Sequence, residues 1–406
     1  MNTKRMTRWI IVLFLLAALP GLTAALAQER EPADRLSANC NYGASSIDLN
    51  EETESWVFSD PEGDEGVQMW ATTFVVPANR SVLISITDFT TIPSNQTHAI
   101  FTLARRVSDT SFVALYEVRP YREGHIFATL PAGEYCFFED YDPTIPYYTF
   151  ASYNWTLSTP LLISAASANL GTGNVAGIPF QAGDILAHSD LNNGGQRWVM
   201  LFDASDVGIT KNVSNIEANT EDELVLSLAA NQTVAGVGVV TPWDTIIFDP
   251  VSYGSNTAGS FRMGFDGSMN QLTASGEKLD AIATSQYCDY LSTTGTATVP
   301  FYMGYNIKFK DEDLGCWYQD VEWLFGFESR NVTGLPVEDV IAAAYDDAAD
   351  KMYLTILGSG KIAGHKVTQK DIFAISYPGY TWGGVIWHGP DHGWNYNIDA
   401  FEFDGW

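Results

Sequence analysis

Four stretches in the second half of the chain are copies of one another: VMLFDASDVGI (199–209), RMGFDGSMNQL (262–272), LFGFESRNVTGL (324–335) and VIWHGPDHGW (385–394). Their landmark aromatics, Phe202, Phe265, Phe327 and Trp387, recur at intervals of 63, 62 and 60 residues. Further on come Ile216-Glu217-Ala218, Leu279-Asp280-Ala281, Val340-Ile341-Ala342 and Ile398-Asp399-Ala400, with Ile341 replacing the acid in the third copy. Upstream, each copy opens on an aspartate: Asp184, Asp244, Asp313 (or Asp311) and Asp371. A fixed interval of this length means that one supersecondary unit is made repeatedly and stacked on itself. Each unit holds four short alternating runs, for instance 184–189, 197–203, 214–220 and 223–229, the pattern of half-buried strands. Four-stranded units in series predict a β-propeller.

The ends of the repeat predict how it closes. The units run over about 184–240, 241–309, 310–368 and 369–406, and the last stops at Phe403-Asp404-Gly405-Trp406, where a fourth strand should begin. A strand of matching layout, LLISAASANLGTGNVAGIPFQAGD (161–184), precedes the first unit. Pairing 161–166 with the last unit would remove an open sheet edge, so the expectation is a four-bladed propeller over 161–406 closed by an N-terminal strand. An open array of four units is the alternative.

Ahead of the repeat, residues 28–158 carry strand-like runs such as Met69–Val76, Ser81–Thr87, Ala99–Leu103, Phe112–Val118, His125–Leu130 and Glu134–Glu139, separated by turn residues. No helical stripe of apolar residues interrupts them, and the spacing predicts an antiparallel β-sandwich joined to the propeller near Ser158–Pro160. The whole reading is all-β.

Residues 1–27 have the three parts of a secretory signal peptide: Lys4, Arg5 and Arg8, the apolar run Trp9–Leu19, and Ala25-Leu26-Ala27 before Gln28. No later stretch reaches the roughly eighteen apolar residues of a membrane span. The expected product is secreted, extracellular or at the cell surface. In an oxidising compartment four cysteines read as two disulfides. Three pairings are possible, and the domain division favours Cys40–Cys136 and Cys288–Cys316.

Charge narrows the partners. The chain has 21 Lys+Arg against 49 Asp+Glu, a net charge of −28, and loss of the three basic residues in 1–27 would bring it to −31. Such a surface repels phosphate backbones, which excludes nucleic acid and leaves an extracellular protein or glycan as partner.

Candidate sites lie on the loop after each landmark aromatic. Asp203, Ser205 and Asp206, like Asp266 and Ser268, place hard oxygen ligands on tight turns, which suits Ca²⁺. The ladder of ligands is incomplete, and a plain Asx turn explains the same residues. In the fourth copy His388, Asp391 and His392 could seat a transition metal, although Gly389, Pro390 and Gly393 exclude the helix on which such a spacing becomes a clamp. Local turn packing is the simpler reading there. The opening aspartates read as Asx turns between units, and Glu217, Asp280 and Asp399 as caps of a second turn. There is no G-x-S-x-G elbow, H-E-x-x-H or phosphate-binding glycine loop.

Two resemblances add to this. FVVPANRSVLISITDF (74–89) with LPAGEYCFF (130–138) resembles the pre-peptidase C-terminal accessory domain of secreted bacterial peptidases. It implies a non-catalytic sandwich that aids secretion, folding or substrate contact. The FDGS-type turn with a following Asp-Ala resembles an uncharacterised secreted bacterial propeller-type repeat, which implies no established activity. The resulting expectation is a secreted, non-enzymatic binding or scaffolding protein. The alternative is a hydrolase acting on extracellular glycan through propeller-face carboxylates.

Overall fold

The structure, a computed structural model, describes Cys40, the strands and connecting residues 45–46, 51–57, 71–76, 80–91, 99–108, 111–118, 124–141 and 151–165, and residues 172–403 apart from 193, 219–222, 286–287, 302–304, 319–321 and 348. The expected leader 1–27 and the closing 404–406 lie outside the described residues.

Two sheets make the N-terminal module. One runs Ser45–Ser46, Ala71–Val76, Gly133–Tyr141, Ala99–Ser108, Ser111–Val118 in spatial order. The other runs Glu51–Val57, Ala151–Ser158, Arg80–Thr91, Gly124–Leu130. Pairing is antiparallel except at one edge, where Ser45–Ser46 lies parallel to Ala71–Val76. Alternation along the strands sends Phe74, Ile84, Phe101, Phe137 and Trp155 into one core between the sheets. Cys40 is bonded to Cys136, across 96 residues.

The repeat forms four four-stranded antiparallel sheets, the arrangement of propeller blades. The first runs Ile398–Phe403, Leu161–Ala165, Ile185–Asp190, Gln196–Phe202. The second is Val213–Ala218, Leu224–Leu228, Thr245–Ser252, Ala258–Met263. The third is Leu279–Thr284, Cys288–Thr293, Leu314–Tyr318, Glu322–Phe327, and the fourth Val340–Asp346, Lys351–Ile356, Asp371–Ser376, Thr381–His388. The sequence interval and the sheet are offset by two strands. A unit such as 184–240 gives its first two strands to the first sheet and its next two to the second.

In the first sheet Leu161 pairs with Phe403 and Ile163 with Phe401, so strands from opposite ends of the repeat share one ladder. The third sheet carries the second disulfide, Cys288–Cys316, between adjacent strands.

The first strand of each sheet packs beside the first strand of the next, from Val213–Ala218 through Leu279–Thr284 and Val340–Asp346 to Ile398–Phe403, which again neighbours Val213–Ala218. Backbone bonds repeat with this order: Leu279 N–H donates to Pro242 O (2.9 Å), Val340 to Asp311 (3.0 Å) and Ile398 to Gln369 (2.9 Å). The buried clusters join neighbouring sheets as well. Leu201, Phe202, Leu226 and Phe248 fill the space between first and second, while Trp198, Ala374, Trp387 and Phe401 fill that between fourth and first. Each of the large side chains among them contributes roughly 1.5–3 kcal/mol of burial. The sandwich sits against this assembly through Phe127, edge-on to Tyr253 at 5.9 Å.

Every sheet also has a two-stranded ribbon between its second and third strands, absent from the sequence reading: Gly173–Val175 with Ile178–Phe180, Gln232–Val234 with Gly238–Val240, Ala297–Pro300 with Asn306–Phe309, and Ser359–Ile362 with His365–Thr368. Two of the ribbons turn at Ala-Gly. Ala176 and Gly177 have φ of 50° and 89°, and Ala363 and Gly364 have 49° and 91°. Positive φ at both central residues matches the twist of the flanking strands.

Candidate functional site

The opening aspartates do the same job four times, each with one oxygen on its own turn and the other at the end of the last strand of its sheet or on the loop just after it. Asp184 accepts from Gln181 N (2.6 Å) and Ala204 N (2.9 Å). Asp244 accepts from Thr241 N (2.8 Å) and Gly267 N (3.0 Å), and Asp313 from Lys310 N (3.2 Å) and Ser329 N (2.9 Å). Asp371 accepts from Thr368 N (2.7 Å), and its second oxygen meets His388 Nδ1. Thus Asp313, not Asp311, is the third member. Burial raises the pKa of Asp184, and the Gln181 and Ala204 amides oppose that rise. These carboxylates clamp the frame, as the Asx reading expects.

The loops proposed for Ca²⁺ lie just beyond the clamps. Asp203 Oδ1 accepts from Ser205 N (3.0 Å) and Ser205 Oγ (2.7 Å). Asp206 Oδ2 accepts from Thr257 N (3.0 Å) on the loop leading into the last strand of the second sheet. Asp266 Oδ1 accepts from Ser268 Oγ (2.7 Å) and Met269 N (3.1 Å). The bonds of Asp203 and Asp266 are those of Asx turns, while Asp206 ties its loop to a distant one.

Glu217, Asp280 and Asp399 are not turn caps. They lie within the first strands of their sheets, where those strands meet. Glu217 Oε2 accepts from Thr284 N of the next sheet (3.2 Å), and Asn212 Nδ2 donates to Asp399. Burial pushes the Asp399 pKa up to about 6 against the pull of Asn212. Burial, with the charge of Asp311, also brings Asp339 to about 6. Asp280 is raised well above the usual range by burial, then by the charges of Asp339 and Asp311. A carboxylate on a strand reads as a turn residue when its neighbours are small, which is why Asp280-Ala281 and Asp399-Ala400 misled.

Beside this acidic axis a cleft of about 470 Å³ opens between the second and third sheets. Val225, Ile247, Ile282 and Leu291 give it apolar walls, and Glu217, Arg262, Thr284 and Asp289 bring polar groups to it. Arg262 donates to both oxygens of Glu223 at 2.6 Å, and Thr284 Oγ1 to Asp289 Oδ1 at 3.0 Å, so its polar groups are held in fixed positions.

In the fourth copy the structure does not bring His388, Asp391 and His392 together. A single three-ten turn, Gly389–His392, follows the strand. His388 points back to clamp Asp371, Asp391 is exposed, and His392 crosses to the first sheet, where it meets His188 and Asp190. The sequence signal for that partner was His188-x-Asp190, two residues on one face of a strand.

No family model matches the sequence, and no curated protein matches it. Among solved structures, the chain is similar to the pre-peptidase C-terminal domain of a collagenase from Bacillus anthracis at 14% identity, covering 28% of this chain and 93% of that one, with a TM-score of 0.21. It is also similar to YCF48 bound to D1 peptide at 12% identity, covering 78% of this chain and 84% of that one, with a TM-score of 0.24. The fold described above rests on the strand ladders themselves.

Proposed function

We propose that this chain is an exported, non-enzymatic binding or scaffolding protein of the cell surface or extracellular matrix. In this reading a β-sandwich precedes a four-bladed propeller, and Leu161–Ala165 closes the ring against the last strand. The two disulfides suit the oxidising compartment that export implies. The observation that carries the binding role is the cleft between the second and third sheets. Its volume falls within the range of ligand sites, and its apolar walls with a few fixed polar groups are what recognition of a small part of a glycan or protein needs. The repeated aspartates, by contrast, are taken up by backbone donors and serve the frame.

The test is an array of extracellular oligosaccharides and peptides probed with the mature chain, with reducing-end release followed in the same samples. Retention without release is expected. Ala218→Trp, which fills the cleft, should abolish retention while leaving the melting temperature in place. Release of reducing ends that disappears in Glu217→Gln or Asp289→Asn would overturn the reading in favour of a hydrolase.

A further inference from the structure

We propose that His188, Asp190 and His392 form a binding site for one divalent transition metal of the zinc and copper type, set between the first and fourth sheets. His188 and Asp190 leave the same face of Ile185–Asp190 because they are two residues apart on a strand. His392 ends the three-ten turn that follows Thr381–His388, and Gly393, at φ 78°, lets the chain swing away behind it. The turn is fixed from outside. Trp198 Nε1 donates to His392 O at 3.0 Å, and the Trp387 ring stacks on the His392 ring at 5.2 Å and 10°.

The donor atoms are spaced for a metal. His188 Nε2 lies 3.7 Å from Asp190 Oδ1, His392 Nδ1 lies 3.5 Å from the same oxygen, and all three donors fall within 4.8 Å of one another. Bonds of about 2.0–2.1 Å at tetrahedral angles would set donors about 3.3 Å apart, so small side-chain adjustments complete the shell.

A second observation independently asks for a ligand. His188 is fully buried, and neither of its ring nitrogens has a hydrogen-bond partner. Leaving a buried polar group unpaired costs roughly 1–3 kcal/mol, which a metal bond would offset. Gln196 Nε2 approaches His392 Nδ1 at 3.0 Å, which an amide N–H does when that nitrogen carries the lone pair. Gln196 is exposed and can move aside. The Asp190 side chain is 37% exposed, giving an entry path and room for a water in the fourth position. Two imidazoles and one carboxylate favour zinc, copper or nickel over the hard ions calcium and magnesium. The acidic surface would raise the local cation concentration.

The site is independent of the cleft, and the test uses metal alone. Untagged mature protein is dialysed against Zn²⁺, and the Co²⁺ form is read by its visible absorption. The expected result is one equivalent bound, a tetrahedral Co²⁺ spectrum, and no displacement by excess Ca²⁺ or Mg²⁺. Asp190→Asn and His392→Gln, both at partly exposed side chains, should each weaken binding by more than about 10-fold. His388→Gln, on the same loop but paired with Asp371, should leave the affinity unchanged. Absence of stoichiometric binding, or affinity retained in folded Asp190→Asn or His392→Gln, overturns the proposal. If one variant fails to fold, the other decides.

Discussion

In the sandwich, apart from the hairpin Ala99–Ser108 with Ser111–Val118, strands that pair are far apart in the chain. Gly133–Tyr141 sits between Ala71–Val76 and Ala99–Ser108, and Cys40 reaches over 96 residues to Cys136. In the repeat, strands that pair within a sheet are close in sequence, and among the described residues the exception is Leu161–Ala165 with Ile398–Phe403. The sandwich spreads its long-range contacts over the whole module and adds a covalent tie. The repeat concentrates its long-range pairing at one seam and fixes everything else with local aspartate clamps. A perturbation should therefore be absorbed in the first module and, in the second, depend on whether it strikes the seam.

The largest effect should come at the seam itself. Ile163 is fully buried and paired with Phe401 on one side and Leu186 on the other. Ile163→Asp buries a charge without a partner and should remove more than ~4 kcal/mol. Two-probe unfolding checks this: the repeat should melt far earlier, while the sandwich, followed by near-ultraviolet dichroism after limited proteolysis, keeps its transition. Coincident loss of both modules would break the comparison.

Disulfide removal sharpens it. By loop-closure entropy the 96-residue link of the sandwich contributes ~4.7 kcal/mol and the 28-residue link of the third sheet ~3.6 kcal/mol. Replacing Cys40 and Cys136 by serine should thus cost more than replacing Cys288 and Cys316, whose strands already share a ladder. Paired denaturant titrations measure the order, and its reversal would mean that the ladder of the third sheet depends on its covalent tie.

The acids between the sheets predict an unusual pH dependence. Asp339 and Asp399 titrate at about 6 in the folded chain, against 3.8 for an ordinary aspartate. A raised acid holds its proton in the folded state while the unfolded chain has released it. Its stabilising contribution is full below the unfolded value and lost as pH rises from about 4 through 6. Asp399 alone accounts for on the order of 2–3 kcal/mol over that window. Asp399→Asn should raise the melting temperature of the repeat more at pH 7 than at pH 5. A gain that is the same at both pH values would contradict this.

The smallest effect concerns calcium. Since Asp203 and Asp266 hold their own turns, Ca²⁺ and Mg²⁺ at equal ionic strength should shift the melting temperature alike. A calcium excess abolished by Asp203→Ala or Asp266→Ala would return the ion to these loops.

What the sequence made legible follows from what repeats. Phe202, Phe327 and Trp387 recur because each ends or nearly ends the outermost strand of its sheet and is buried there, and Asp184, Asp244, Asp313 and Asp371 recur because each clamps that same end. The interval does not say where a sheet begins, since any starting point in a cycle reads the same. The ribbons escaped notice because an alanine, not asparagine, stands at the first positive-φ position of Ala176-Gly177 and Ala363-Gly364. The histidine cluster was hidden for another reason: His188 and His392 are more than two hundred residues apart, and nearness in sequence suggested His388 instead.

The seam also has a timetable. Leu161–Ala165 is made early, and the strand that covers its inner side, Ile398–Phe403, leaves the ribosome more than two hundred residues later. Throughout that interval a strand buried along its whole length in the finished protein offers unpaired N–H and C=O groups to any passing chain. Export before folding would remove the hazard, because all the strands would then arrive together. A cytoplasm that lets the first three strands of that sheet assemble ahead of the last should yield aggregates, and slowing translation there should worsen the yield.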